Sequence, residues 1–173
     1  MVGFFHSQAF EVSMVDPIVN SFAVRTWLDS PAGQSKLNIL QVFCSTLIMG
    51  VTTLIVVSLV IAPFKEIEKE PEWTMVTVAL TLACTSTGAG FALATSRKPS
   101  NDLGVLAANA TQSWFIAYAL LEGPAFLCMI FFMFVGSNLE KGILLGVAIG
   151  LIALMAVRFP TKNRFLEAMG TSE

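Results

Sequence analysis

Charged residues are scarce in this chain. Asp, Glu, Lys and Arg make up 13% of its 173 residues, whereas hydrophobic residues make up 55%. Soluble domains carry about a quarter charged residues, so the deficit predicts a surface that faces lipid over much of its area. The net charge of −2 gives no indication of nucleic-acid binding, and the length is typical of one domain.

Histidine and cysteine are also rare, with one histidine and three cysteines, and their scarcity argues against catalytic and metal sites. The lone His6 has no second ligand at a metal-binding spacing, and no Ser/His/Asp or Cys/His set is available. Cys44, Cys84 and Cys128 fall within apolar segments, where thiols act as small apolar side chains rather than as disulfide partners. The sequence therefore predicts no enzymatic activity, no metal site and no cofactor.

Long uncharged segments predict where the chain crosses a membrane. A bilayer core of about 30 Å needs about 20 apolar helical residues, and a helix satisfies its own backbone hydrogen bonds there. The gaps between charges predict four transmembrane helices, at residues 38–62, 74–95, 114–136 and 140–158. The predicted fold class is all-α, an integral membrane four-helix bundle made of two antiparallel transmembrane hairpins.

The distribution of basic residues predicts the orientation. Four spans place the N-terminus, the 96–113 loop and the C-terminus on one side. That side holds seven of the ten basic residues, namely Arg25, Lys36, Arg97, Lys98, Arg158, Lys162 and Arg164. The other side holds Lys65, Lys69, Lys141 and the acidic loop 65-KEIEKEPE-72. Because loops rich in Lys and Arg stay in the cytoplasm, both termini are predicted to be cytoplasmic.

The N-terminal segment 1–37 is predicted to be cytoplasmic and to contain an interfacial helix. Asp16 can cap a helix with Pro17 at its first position, and 30-SPAGQS-35 would end it. Its predicted apolar face consists of Ile18, Val19, Phe22 and Trp27. This face would rest on the membrane surface or dock on a partner subunit.

The remaining chain is predicted to form a transmembrane domain, residues 38–158, and a short cytoplasmic tail, residues 159–173. Lys141 and Arg158, at the two ends of the fourth helix, are expected to reach the membrane interfaces. The tail begins with Arg158 and is expected to act as an anchor. Its apolar residues, expected to lie along the interface, are Phe165, Leu166 and Met169.

Two helices carry small residues on one face, which allows close helix packing. On the fourth helix, Gly142, Gly146 and Gly150 recur every four residues. The second helix has a similar series that includes Ala83 and Gly90. Such faces either pack within the four-helix bundle or mediate self-association into a dimer or ring.

Glu122 is the main functional lead. It lies nine residues into the predicted third helix, or about 13 Å at 1.5 Å per residue. A charged carboxylate there would cost several kcal/mol, and no Lys or Arg lies at a similar depth. Desolvation therefore favours the protonated carboxyl.

Two roles for Glu122 follow from its surroundings in the sequence. As a structural element, it would donate to the carbonyl of Leu120, which Pro124 leaves without its helical donor, or to a nearby hydroxyl. Hydroxyl candidates are Thr52, Thr53, Ser86, Thr87 and Tyr118. As an ion-binding element, Glu122 would take up a proton or small cation together with Ser86 and Thr87 of 84-CTSTGAG-90.

One part of the chain resembles a known ion carrier. A Gly/Ala-rich helix, a basic loop with Arg97 and Lys98, and the acid-bearing 118-YALLEGPAFLCMIFFMF-134 are similar to the hairpin of rotary ATP synthase c subunits. The resemblance covers residues 74–136. It implies that the acid carries the transported proton or sodium ion, a role that would belong to Glu122.

A second resemblance covers most of the chain. It rests on 38-NILQVFCSTLIMGV-51, 119-ALLEGPAF-126 and 157-VRFPTKNRFLEA-168, which resemble a family of uncharacterised bacterial four-helix integral membrane proteins. This resemblance implies a bacterial inner membrane location and no particular activity. Two functions are therefore predicted: a structural or accessory component that contacts lipid and further copies or other membrane subunits, and, as the alternative, a proton or cation element centred on Glu122.

Overall fold

The computed structural model describes residues 21–64, 70–95 and 102–169. Over these residues the chain is helical, with no strand. The six helices are α1 (Ser21–Asp29), α2 (Pro31–Ile61), α3 (Thr74–Thr95), α4 (Leu103–Phe134), α5 (Asn138–Val157) and α6 (Lys162–Ala168). The predicted all-α class is confirmed for the described part of the chain.

Four of these helices are long and apolar enough to cross a membrane. The candidate spans are Pro31–Ile61, Thr74–Ala92, Leu103–Phe134 and Asn138–Val157. Large apolar side chains on their outer surfaces are strongly exposed, including Val60 at 75% and Phe134 at 71%. Such surfaces suit lipid rather than water, and the chain is a multi-pass membrane protein.

Helices α2 and α4 begin earlier than the sequence predicted. Helix α2 begins at Pro31 rather than at 38, because the Ser30 hydroxyl caps it by accepting from the backbone N–H of Gly33. Helix α4 begins at Leu103 rather than at 114, because an Asp102 carboxylate oxygen accepts from the N–H of Gly104 at 2.7 Å. Uncharged residues mark the hydrocarbon layer, whereas capping residues set the start of a helix.

Helix α4 is at the centre of the packing and contacts α2, α3 and α5. At one end of the long helices, which we call the α6 end, α1 and α6 pack on the others in a core that contains Leu40, Cys44 and Met155. At the opposite end, which we call the Lys141 end, a second core contains Val76, Phe132 and Leu144. Glu122 lies on α4 between these two regions.

The short helices α1 and α6 pack on the protein with their apolar side chains. On α1, Val24 and Leu28 are fully buried, whereas Phe22, a member of the face predicted to rest on the membrane or a partner, is exposed. On α6 and just after it, the buried apolar residues are Phe165, Leu166 and Met169. They share one core with α1, whereas the sequence predicted that they form an apolar face along the membrane surface.

Several predictions concern residues outside the described ranges. They are the helix start at Asp16 and Pro17, the apolar residues Ile18 and Val19, the basic pair Arg97 and Lys98, and residues 65–69 of the acidic loop.

Candidate functional site

Helix α4 contacts α3 and α2 through opposite sides. On one side, a Cβ placed on Gly90 of α3 would lie 3.5 Å from the carbonyl oxygen of Ala117. On the other side, the rings of Phe43 on α2 and Phe115 on α4 meet edge to face with centroids 4.4 Å apart. These two contacts define the α3-facing and α2-facing sides of α4.

Glu122 lies on the α2-facing side. At about 100° per residue, it comes two turns after Phe115, in nearly the same direction, and points about 140° away from Ala117. One further turn along, the ring of Phe126 lies 3.8 Å from a Cβ placed on Gly50 of α2. The carboxyl group therefore lies at the boundary between α4 and α2, between two aromatic contacts.

The Glu122 side chain is half-buried and forms no hydrogen bond or ion pair with any described residue. The predicted structural role required a donor bond to the carbonyl of Leu120 or to a hydroxyl, and the described residues provide no such bond. A polar group at this depth is costly unless it has a partner. Any partner of Glu122 therefore comes from beyond the described residues of this chain.

Ser86 and Thr87 belong to α3, which packs on a different side of α4 from the one that carries Glu122. Both are half-buried and continue the line of Ala79 and Ala83, the buried positions through which α3 packs. Since α3 contacts α4 on the side of Ala117, the body of α4 separates these two hydroxyls from the carboxyl group. The ion-binding set of Glu122, Ser86 and Thr87 therefore stays a prediction.

The two series of small residues have different surroundings. Ala83 and Gly90 are buried where α3 packs on α4. Gly142, Gly146 and Gly150 are exposed, and a Cβ placed on any of them would meet no atom within 4 Å. The small face of α5 therefore makes no contact with the described residues of its own chain.

The Tyr118 hydroxyl has a partner other than Glu122. It donates a 2.6 Å hydrogen bond to the carbonyl of Met155, and this contact is buried. Carbonyls in the last turn of a helix lack intrahelical donors, and near the end of α5 the N–H of Phe159 turns to Ala156 instead. Tyr118 thus satisfies a carbonyl in the last turn of α5 and joins α4 to α5.

Replacing Tyr118 with phenylalanine is expected to lower the free energy of unfolding by about 1 kcal/mol, since one buried hydrogen bond is lost without a cavity. Denaturant unfolding in mild detergent would measure it. Thr52→Val is the matched control, because the exposed Thr52 hydroxyl bonds only to Ile48 of its own helix. Equal stability of Tyr118→Phe and the wild type would contradict a stabilising role for the bond.

Sequence reasoning missed a second polar centre, at the Lys141 end. Lys141 is 3% exposed, and its Nζ donates to the carbonyls of Ala62 and Pro63, each at 2.9 Å. The neighbouring Glu140 is 1% exposed, and its Oε1 has no hydrogen-bond partner among the described residues. The sequence predicted that Lys141 reaches a membrane interface; in the structure its ammonium group binds the carbonyls that follow α2, where a helix dipole favours a cation.

The thiols and the metal-ligating side chains of the described ranges form neither a disulfide nor a metal-ligand group there. Cys44, Cys84 and Cys128 are free thiols. The described residues hold no group of three metal-ligating side chains. Comparison of the chain with family models, curated proteins and solved structures found no match. Function must therefore be inferred from Glu122 and its surroundings.

Proposed function

We propose that this chain is a structural or accessory component of a membrane assembly, without enzymatic activity, and that Glu122 binds a helix of a neighbouring subunit. One observation carries the proposal: a half-buried carboxyl group, about 13 Å inside the predicted apolar segment, has no partner among the described residues. A polar group on the neighbouring helix would remove the cost of leaving this carboxyl unsatisfied in lipid.

The proposal includes the membrane and the orientation. We infer a four-helix bundle of two antiparallel hairpins in a bacterial inner membrane, with both termini in the cytoplasm. The described basic residues support this orientation. Those near the α6 end are Arg25, Lys36, Arg158, Lys162 and Arg164. At the Lys141 end, the described basic residue is Lys141 itself, and it is buried.

A proton- or cation-binding element of the ATP synthase c-subunit type is the second candidate. The partial exposure of Glu122 favours it, because an ion carrier must be reached from outside the chain. The position of Ser86 and Thr87 on the other side of α4 speaks against the cation form, since a cation needs several oxygen ligands. The neighbouring-subunit proposal therefore ranks first.

Substitutions of Glu122 distinguish the two functions. If Glu122 binds a helix of a neighbouring subunit, Glu122→Gln keeps a side chain that forms hydrogen bonds, so the assembly should persist in mild detergent. Glu122→Leu should lower the assembled fraction about tenfold, since interhelical polar contacts in membranes are worth about 1–2 kcal/mol. The mass of the extracted complex and the identity of co-purifying proteins provide the measurement.

The stability of the single subunit is the internal control. Because Glu122 has no described partner, Glu122→Leu should not lower the free energy of unfolding of the monomer. Thr85→Leu is the matched substitution, since Thr85 is exposed on α3 and bonds within its own helix. Unchanged assembly in Glu122→Leu would refute the proposal. Loss of proton- or sodium-linked transport in Glu122→Gln, with carbodiimide labelling of wild-type Glu122 near neutral pH, would establish the second function.

A further inference from the structure

Two half-buried arginines lie near each other at the α6 end. Arg158 caps the C-terminus of α5, and Arg164 lies in the first turn of α6. Burial lowers the pKa of Arg158, and the charge of Arg164 lowers it further. The two like charges therefore lie at the same end of the helices, on the short segment that joins α5 to α6.

Neither arginine has an acidic partner among the described residues. Within that part of the chain, neither side chain forms an ion pair or a side-chain hydrogen bond. An ion pair at this end joins Lys162 to Asp29, and both of its side chains are about half exposed. Paired like charges without a counter-charge are unfavourable unless an anion lies between them or beside them.

The geometry of Arg158 leaves its donors available. Its guanidinium carbon lies 3.4 Å from the centroid of the Phe91 ring, so one face of the guanidinium is against the ring. The five N–H donors of arginine lie in the plane of the group and point outward from such a stack. An arginine in this arrangement is preorganised for a bidentate contact with a phosphate or carboxylate.

The surrounding chain holds the pair in place. Gln41 on α2 donates a 2.9 Å hydrogen bond to the carbonyl of Pro160, which fixes the segment between the two arginines. Phe165 is fully buried beside Arg164 in the sequence and anchors α6. The two charges are therefore carried by packed segments of the chain.

The membrane position identifies the anion. Helix α5 has 20 residues, or about 30 Å at 1.5 Å per residue, which equals the thickness of a bilayer core. Arg158 follows its last residue and so lies where the hydrocarbon meets the headgroups. Phe91, on which Arg158 stacks, is 38% exposed, so the pair is open towards the lipid.

We propose that Arg158 and Arg164 form a binding site for the phosphate of an anionic phospholipid, with Arg158 held by its stack on Phe91. The site is separate from Glu122 and does not depend on the function proposed for it. The lipid headgroup would supply the counter-charge that the described residues do not provide.

Native mass spectrometry of the full chain in mild detergent tests the site. Phosphatidylglycerol and phosphatidylcholine with the same acyl chains are the two probes. The wild type should retain phosphatidylglycerol in preference, and Arg158→Gln or Arg164→Gln should each weaken that binding about tenfold. Arg158→Lys should also weaken it, since an ammonium keeps the charge but cannot make the bidentate contact.

Lys162→Gln is the matched control, because it removes one positive charge from an exposed position at the same end. It should leave phosphatidylglycerol binding within about twofold of the wild type. Equal losses in Lys162→Gln and Arg158→Gln, or equal retention of both lipids, would overturn the proposal. Stabilisation by inorganic phosphate as strong as that by the lipid would assign the site to a soluble anion and would also overturn it. Should Arg158→Gln fail to fold, Arg164→Gln provides the same comparison.

Discussion

Replacing Gly33 with alanine is expected to separate α1 from α2 and to lower the free energy of unfolding by about 1–3 kcal/mol. A Cβ at this position would lie 2.5 Å from the carbonyl oxygen of Trp27 and 2.6 Å from the Cα of Leu28. Both atoms belong to the backbone of α1, so rotation of a side chain cannot relieve the contact. Hydrogen exchange of α1, together with denaturant unfolding in mild detergent, would measure the effect.

Gly146→Ala is the control for this substitution. Gly146 is exposed on α5, and a Cβ there would meet nothing within 4 Å. Since alanine has a higher helix propensity than glycine, this variant should be at least as stable as the wild type. A Gly33→Ala protein with wild-type stability and wild-type protection of α1 would contradict the close approach of α1 and α2.

Replacing Lys141 with methionine is expected to cost about 3 kcal/mol of unfolding free energy. Two hydrogen bonds from a charged donor are lost, and the carbonyls of Ala62 and Pro63 lose their ammonium partner. Methionine keeps most of the length of the side chain, so the loss reflects the ammonium group more than packing.

Lys162→Met provides the comparison for Lys141→Met. Lys162 forms an exposed ion pair with Asp29, and exposed pairs contribute about 0–1 kcal/mol. Thermal unfolding of both variants in the same detergent would rank them. If the two substitutions had equal effects, Lys141 would not stabilise the Lys141 end in the way its hydrogen bonds indicate.

The extent of the helices illustrates what hydropathy predicts well and what it misses. Uncharged segments predicted four membrane-spanning helices. The bounds predicted for the second of them, 74–95, agree with those of α3 (Thr74–Thr95). Helices α2 and α4 start seven and eleven residues before the predicted spans, at Pro31 and Leu103 rather than at 38 and 114. Capping by Ser30 and Asp102 lengthens both helices beyond the apolar segment, and hydropathy carries no information on caps.

The surroundings of Glu122 show a different limit. Its depth in the membrane follows from residue counting, and that prediction needs only the helical rise. Which helix it faces depends on the rotation of α4 about its axis, which is set by contacts such as Phe43 with Phe115 and Gly90 with Ala117. Sequence reasoning placed Ser86 and Thr87 opposite the acid because it could not know that rotation.

Composition and the spacing of charges were sufficient to predict a helical membrane protein with four spans and one deep acid, because the bilayer constrains length and polarity along each helix independently of its neighbours. Which groups a side chain contacts depends on packing between segments that are distant in the chain. Lys141 binds the carbonyls after α2, Tyr118 binds the end of α5, and Arg158 stacks on Phe91. These contacts, and the absence of one for Glu122 among the described residues, were decided by the tertiary structure, because local sequence specifies a helix but not the side that it turns towards another helix.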